Sequence, residues 1–259
     1  MERIQIYRMW PDWKRALVLI GTVLSLGCAL RAEEWCSEEI KLSLVPSTVQ
    51  TAITALNFEK QTTGQVYFFD TDAHDLEKIG VIVRVRQGAQ NDLTVKIRMP
   101  EVNKQVDVSQ LRGQFPCEIN RTGDGEDTDL SVKRNYRTSR VPEMGADIFR
   151  LLSQRQKAML QEANAPIDWA SVRKVIAIKS TSWETKVQSP FRKLALEFWE
   201  WPGGKILEIS AKVEPGESEL KYAKLQQLIK DKGLPVGVDQ GSKTGEVLGS
   251  VRRRTSPPQ

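Results

Sequence analysis

The sequence is poor in the side chains that bind transition metals. It contains one histidine, His74, and three cysteines, none of them spaced as a CxxC pair. A structural zinc site needs several such ligands close together, so this composition excludes one. Long apolar runs are also scarce: the marked run, residues 16–30, is shorter than the roughly 20 residues that span a membrane. A protein with several membrane spans is therefore excluded as well.

The folded part of the chain also lacks a net charge. The whole sequence carries +5, but residues 1–32 hold five basic residues against two acidic ones, and residues 236–259 hold four against two. Removing both ends leaves residues 33–235 close to neutral. Nucleic-acid-binding domains usually present a basic face, so we expect no nucleic-acid partner.

The apolar run at residues 16–30 follows Lys14 and Arg15. A basic front, a short apolar middle and small residues near its end are typical of a secretory signal peptide. We therefore predict that residues 1–32 are a signal peptide, or alternatively an uncleaved N-terminal anchor. The protein is then exported, to the periplasm or the extracellular space, and membrane contact is limited to this segment.

Beyond this segment the remaining cysteines are Cys36 and Cys117. In an oxidising compartment they could form a disulfide, or they could remain two thiols, and the sequence leaves both open. Residues 236–259 are rich in Gly, Ser, Pro and charge, which predicts a disordered basic tail. The predicted folded domain is therefore residues 38–235.

Alternation between apolar and polar residues dominates this domain. In residues 39–44 three apolar side chains share one face of the predicted strand, and Glu39, Lys41 and Ser43 share the other. Further strand-like runs, among them Gln105–Ser109, bring the number of predicted strands to about eight. The same alternation recurs in residues 93–98, 193–199 and 206–213, and helices are predicted at residues 48–57, 144–164 and 218–232.

These elements predict an α+β fold, a closed antiparallel β-barrel of about eight strands with a polar tunnel and helices packed outside. Many strands present charges of both signs on one face, while their apolar faces can be covered by helices. An open sheet with one face in water is the alternative, because it also explains alternation in any single strand.

The strongest local pattern begins at Phe69-Asp70-Thr71, continues through Gly80 to the Arg-x-Arg strand at 84–86, and ends with Leu-Thr-x-Lys at 93–96. This pattern resembles the CYTH, or triphosphate tunnel metalloenzyme, superfamily. The resemblance extends to Glu39 in the opening strand and to the late hairpin around Gly203-Gly204. It implies the closed barrel described above.

Four cations of this region are candidate ligands of a small polyanion. Residues two apart on a strand point to the same face, and a short hairpin places the two neighbouring strands side by side. Forked guanidinium donors suit phosphate oxygens. A solvated basic strip, or pairing with acidic residues across the barrel, is the alternative. The predicted phosphate-binding residues are Arg84, Arg86, Lys96 and Arg98.

The resemblance also implies a divalent metal. Glu39, Glu197 and Glu208 stand where the family carries acidic residues, and they are expected to hold Mg²⁺ or Mn²⁺. The opening strand departs from the family pattern, because Lys41 replaces a second glutamate and Ser43 replaces a lysine. The catalytic residues therefore remain unassigned.

Three functions are compatible with these observations. The first is an exported protein that binds a triphosphate or polyphosphate-like anion and hydrolyses it with a metal ion. The second is the same binding without hydrolysis, because the opening strand departs from the family pattern. The third is a structural or interaction domain whose tunnel charges pair internally.

Overall fold

The computed structural model describes residues 36–88, 90–99, 111, 113–123, 125–137, 140–188 and 190–255. The predicted signal segment at residues 1–32 and the predicted strand Gln105–Ser109 lie outside these residues. Within the described ranges, none of the helices combines the length and the apolar character that crossing a membrane requires.

Nine strands close into a barrel, as the alternation predicted. Their order around the barrel is β1-β5-β6-β4-β3-β2-β7-β8-β9, and β9 pairs with β1 to complete the ring. The strands are β1 (Cys36–Leu44), β2 (Lys60–Asp70), β3 (Val81–Gly88), β4 (Asp92–Met99), β5 (Cys117–Thr122), β6 (Gly125–Asn135), β7 (Arg173–Gln188), β8 (Phe191–Trp201) and β9 (Gly204–Val213).

One pair of strands departs from the predicted antiparallel arrangement. Strands β1 and β5 run parallel, with Cys36 opposite Cys117 and Ile40 opposite Arg121, whereas the other pairs are antiparallel. The reason is parity: directions can alternate all the way around a closed ring only when the number of strands is even. With nine strands, at least one neighbouring pair has to be parallel.

Of the α-helices that the structure describes in full, four lie between strands in sequence and two follow β9. The segment 144–164, predicted as one helix, is two helices, because Leu152 is extended and Ser153 starts a new helix through a capping box with Gln156. The helices are α1 (Val49–Ala55), α2 (Asp75–Lys78), α3 (Gly145–Leu151), α4 (Gln154–Glu162), α5 (Ser218–Asp231) and α6 (Lys243–Thr255), and a 3₁₀ turn spans Pro46–Thr48.

Helices cover the outer face of the barrel, as predicted. The outward face of β1 buries Ile40 and Leu42 in one cluster with Leu225 and Ile229 of α5. A second cluster joins β4 and β6 to α3 and α4. Full burial of one such aliphatic side chain contributes about 1.5–3 kcal/mol, so these clusters hold the apolar faces outward and leave the polar faces inside.

The tail predicted to be disordered contains the helix α6 instead. Its Val247 and Leu248 are buried in a cluster with Phe68 and Trp199, which belong to the inward faces of β2 and β8. The composition of the tail gives no sign of this docking, because most of the apolar surface that stabilises α6 belongs to the barrel. The helix therefore covers one end of the barrel interior.

A disulfide joins Cys36 and Cys117, which settles the alternative that the sequence left open. Both cysteines lie in the parallel pair of β1 and β5, where their Cα atoms are 4.4 Å apart. The bridge therefore fastens the barrel at its parallel seam.

Candidate functional site

The inner wall of the barrel is charged. Side chains alternate along each strand, so every second residue points inward, and these residues enclose a cavity of about 260 Å³. Among the described residues that line the cavity, the numbers of basic and acidic side chains are equal. They are Lys41, Arg84, Arg86, Lys96, Arg98, Lys133 and Lys243, and Glu39, Glu118, Asp127, Asp129, Glu184, Glu197 and Glu208.

The four predicted phosphate-binding residues all line this cavity. Arg84 and Arg86 project from β3, and Lys96 and Arg98 project from β4. The antiparallel register of the two strands places both pairs on one wall. The basic strip therefore faces the interior and not the bulk solvent, although its members differ in how they are paired.

Arg84 is the least satisfied of the four. Its Nε atom is buried and has no hydrogen-bond partner among the described residues. Burial, followed by the positive charge of Arg86, lowers the pKa of Arg84 to about 10. The positive charge of this guanidinium is poorly compensated, and its Nε can donate a hydrogen bond to an anion that enters the cavity.

Arg86 and Lys133 lie near Arg84 and add to the positive charge. Arg86 donates from Nε and Nη2 to Oδ2 of Asp92, at 2.9 and 2.5 Å. Lys133 forms no ion pair with a carboxylate of the described chain, and its pKa is lowered by burial and by the charges of Arg86 and Arg84. This part of the cavity thus places three cations close together, with Asp92 hydrogen-bonded to Arg86 and with Glu118 also near Arg84 and Lys133.

Lys96 and Arg98 are held by an acidic residue of the neighbouring strand β6. The Nζ atom of Lys96 lies 3.0 Å from Oδ2 of Asp129, and Nε of Arg98 lies 3.4 Å from its Oδ1. Burial alone would raise the pKa of Asp129, but the charges of Lys96 and Arg98 outweigh it and the pKa is lowered. These two predicted phosphate ligands are therefore already paired.

The first candidate metal ligand, Glu39, is paired within its own strand. Its Oε2 atom lies 3.0 Å from Nζ of Lys41, and its Oε1 atom accepts a hydrogen bond of 3.0 Å from Ser210. Burial opposes ionisation of both groups, yet the attraction of Glu39 raises the pKa of Lys41 and that of Lys41 lowers the pKa of Glu39. Lys41, which stands where the family pattern has a second glutamate, thus neutralises Glu39, which fits that pattern.

The other two candidate ligands, Glu197 and Glu208, share one lysine. Lys243 of helix α6 donates from Nζ to Glu197 and, at 2.9 Å, to Oε1 of Glu208. Burial would raise the pKa of Glu197, but the charge of Lys243 and the hydrogen bonds from Lys243 and Trp199 together outweigh it and lower the pKa to about 2. One ammonium group of the C-terminal helix therefore contacts both carboxylates.

The expected divalent metal does not fit this arrangement. Mg²⁺ and Mn²⁺ are held by carboxylate oxygens that are free to turn toward the ion. Here an ammonium group already contacts each of the three carboxylates, so the ion would lie close to two fixed positive charges. These three carboxylates, as they are paired, therefore do not form a divalent-metal site.

An acidic cluster with a histidine exists outside the cavity. Ligand atoms of Asp70, His74 and Glu77 lie within 4.8 Å of one another. Both oxygens of Asp70 accept hydrogen bonds from main-chain N–H groups, from Thr71 and Leu76 on Oδ1 and from Glu77 on Oδ2. Asp70 therefore closes the turn into α2, which explains its place in the aromatic-Asp-Thr pattern.

Sequence reasoning missed six charged residues among those described as lining the cavity, and Asp129, Lys133 and Lys243 are three of them. Asp129 and Lys133 could have been found from their spacing, because residues four apart on β6 share one face. Lys243 carries no comparable signal, since it lies in a segment whose composition predicts disorder. Its role depends on the docking of α6, which only the structure reveals.

Comparison with known proteins adds evidence on the fold. No family model matches the chain, and no curated protein does so. A solved structure from Hippeastrum, named as an adenylyl cyclase candidate and described as having a dominant triphosphatase activity, is 20% identical and covers 82% of this chain and 94% of its own, with a TM-score of 0.59. A candidate adenylate cyclase from Bacillus halodurans is 14% identical over 82% and 96% of the two chains, with a TM-score of 0.54.

At these identities the likeness shows the fold. The chain has the closed-barrel fold of these two structures, which confirms the fold that the resemblance found in the sequence implied.

Proposed function

We propose that the protein binds a short polyphosphate-like anion, such as tripolyphosphate or the triphosphate of a nucleotide, without hydrolysing it. The observation that carries the proposal is Arg84, a guanidinium whose Nε is buried without a partner among the described residues and which faces the cavity. An anion would supply the missing hydrogen bond and offset the burial of the charge.

The surroundings of Arg84 favour phosphate over a simple carboxylate. The positive charge of Arg86 lowers the pKa of Arg84, and the two arginines lower the pKa of Lys133, so more than one negative charge can be accommodated among these three cations. A chain of phosphoryl groups provides several charges and many acceptor oxygens in a small volume. The described triphosphatase activity of the Hippeastrum protein, which shares the fold, supports the same ligand class.

Binding without hydrolysis is the form of the function that the carboxylates support. Metal-dependent phosphoryl chemistry needs ions that neutralise the phosphate charge and position the reacting oxygens. Each carboxylate expected to hold such an ion contacts a lysine instead. We therefore infer that fixed side chains, and not a divalent ion, neutralise the ligand.

One observation favours a second function, that of a structural domain. The basic and acidic residues lining the cavity are equal in number, and Lys41, Lys96, Arg98 and Lys243 are all engaged in ion pairs. A cavity that was fully compensated would not need a ligand. Arg84 separates the two functions, because it remains without a carboxylate partner among the described residues.

The test is binding of tripolyphosphate in the presence of a chelator, measured by calorimetry and by thermal shift. We expect the unmodified protein to bind and Arg84→Met to lose at least tenfold in affinity. Arg192→Met is the matched control, because the Arg192 side chain is 93% exposed and lies on β8 outside the cavity. If the unmodified protein shows no binding, the structural function stands and the proposal is wrong. Phosphate release in the presence of Mg²⁺ would contradict the claim that hydrolysis is absent.

We further propose that the protein acts outside the cytoplasm. The proposal is supported by the Cys36–Cys117 disulfide, because disulfides persist mainly in oxidising compartments, and by the apolar run at residues 16–30. Fractionation of expressing cells, with the mass and thiol content of the recovered protein, tests it. Recovery of the reduced, full-length chain from the cytoplasm would contradict it.

A further inference from the structure

Two carboxylates face each other inside the barrel. Glu197 of β8 and Glu208 of β9 are direct cross-strand partners, and both line the cavity. Like charges directly opposite each other repel, and burial removes much of the water that would screen them. A cation is therefore needed between them, whether it comes from solution or from the chain.

The chain supplies this cation through Lys243. Its Nζ atom donates to both carboxylates and lies 4.5 Å from the centre of the Trp199 ring. The indole Nε1 of Trp199 donates in turn to Oε1 of Glu197, at 2.8 Å. With 11% of its side chain exposed, Lys243 is held between two carboxylates and one aromatic face.

The position of Lys243 is fixed by the docking of α6. Val247 and Leu248 are buried in the cluster that contains the inward-facing Phe68 and Trp199. In addition, Nε1 of Trp201 donates a 2.8 Å hydrogen bond to Oγ of Ser250. Apolar burial and a buried hydrogen bond thus anchor the helix, so the ammonium group forms part of the cavity wall.

The first turn of α6 also contributes to the electrostatics of the cavity. Ser242 and Thr244 line the cavity on either side of Lys243, and Ser242 accepts a hydrogen bond of 2.9 Å from Arg98. The amino end of a helix carries a partial positive charge from its unpaired N–H groups. The helix therefore adds positive potential where the paired carboxylates would otherwise repel an anion.

We propose that Lys243 is the built-in counter-cation of the Glu197–Glu208 pair, and that it makes polyphosphate binding independent of divalent metal. This inference rests on the proposed function and goes further, because it assigns to the C-terminal helix the part that a bound ion would otherwise take. Removing the ammonium group leaves two facing carboxylates that repel a phosphate and can bind a divalent ion.

The first experiment measures the affinity for tripolyphosphate in a chelator and in excess Mg²⁺. The unmodified protein is expected to bind equally in both, within about twofold. Lys243→Met, which keeps an apolar stem over Trp199, is expected to lose at least tenfold in the chelator and to recover in Mg²⁺. Lys224→Met, on the exposed face of α5, is the matched control and is expected to behave like the unmodified protein.

Three results would overturn the inference. Binding by the unmodified protein that needs Mg²⁺ would show that Lys243 does not replace the ion. Unchanged affinity of Lys243→Met in the chelator would show that its charge is not used. Tighter binding by Lys243→Met would show that the lysine competes with the ligand. Lys243→Arg, which retains the charge, should bind tripolyphosphate without metal. This variant is the control for a loss of folding caused by substitution at position 243.

The second experiment needs no polyphosphate and so separates this inference from the proposed function. Direct Mn²⁺ binding is measured by electron paramagnetic resonance for the unmodified protein, for Lys243→Met, and for Lys243→Met combined with Glu197→Gln and Glu208→Gln. We expect specific Mn²⁺ binding in the single variant alone. If Lys243→Met takes up no Mn²⁺, the inference is wrong even where polyphosphate binds; if it does, but polyphosphate does not bind, the proposed function is the one that is wrong.

Discussion

At the scale of single residues, the buried charge of Arg84 lowers the stability of the protein when no ligand is bound. Its pKa of about 10 in the folded state lies below the ordinary value of 12.5, because burial and the neighbouring charge of Arg86 disfavour the cation. At neutral pH the folded protein therefore holds a charge that the unfolded chain hydrates better. Residues that bind a ligand commonly lower the stability of the ligand-free protein in this way.

We therefore predict that Arg84→Met stabilises the free protein, by about 1 kcal/mol after allowing for the partial exposure of the side chain. The midpoint of thermal unfolding should rise by roughly 2–4 °C. Calorimetric melting of the variant and of Arg192→Met, both without ligand, checks this. A lower midpoint for Arg84→Met would mean that Arg84 already has adequate partners in the free protein.

The direction of each inner side chain could be predicted from the sequence, but its partners could not. Residues two apart on a strand share a face, so Arg84 and Arg86, and likewise Lys96 and Arg98, were correctly placed together. Their pairing depends on which strand lies alongside. Asp129 reaches Lys96 because β6, and not β5, pairs with β4. The local sequence does not indicate this order of strands around the barrel.

At the scale of elements, the parallel seam of β1 and β5 is held by the Cys36–Cys117 disulfide, which links residues 81 positions apart. Replacing both cysteines by serine is expected to lower the free energy of unfolding by about 4 kcal/mol, because the unfolded chain regains the entropy of a long loop. Urea unfolding checks this prediction. Reductant should destabilise the unmodified protein and leave the double variant unaffected; equal stability of the two proteins would exclude this role.

Helices were predicted well where their own sequence carries the signal. The segment 218–232 has an apolar period and a terminating glycine at Gly233, and α5 spans Ser218–Asp231. The C-terminal helix α6 was not predicted, because its stability comes from Trp199, Trp201 and other side chains far away in sequence. A helix that depends on a distant surface leaves little trace in its own composition.

At the scale of the whole molecule, the enclosed charges make stability depend on pH. The pKa values of Glu39, Asp92, Asp129 and Glu197 are all lowered, because their basic partners outweigh the effect of burial. A carboxyl group with a lowered folded-state pKa stabilises the protein above its unfolded pKa. That stabilisation is lost as the pH falls through the folded-state pKa.

We therefore predict that the free energy of unfolding falls in acid. For Glu197 the window runs from its ordinary pKa of 4.5 down to about 2. The loss should be on the order of 2 kcal/mol between neutral pH and about pH 3, measured by urea unfolding. Glu197→Gln should show a shallower dependence. A stability that stays constant over this range would mean that the carboxylates are not ionised inside the barrel.

The overall architecture could be predicted because alternation and the CYTH-like pattern both report on a closed barrel, and a structure 20% identical shares it. The state of the site could not be predicted in the same way. The lysine that contacts Glu197 is 46 positions away along the chain, on an element outside the predicted domain. The fold and the chemistry of this protein are therefore encoded in different parts of its sequence.

Helix α6 packs across one end of the barrel interior, where Val247 and Leu248 are buried against Phe68 and Trp199. On the proposed function, the anion enters and leaves the cavity through the end that α6 does not cover. A polyphosphate chain longer than the cavity would keep its remaining phosphoryl groups in water. The protein would then bind the end of the polyphosphate chain and not its internal phosphoryl groups.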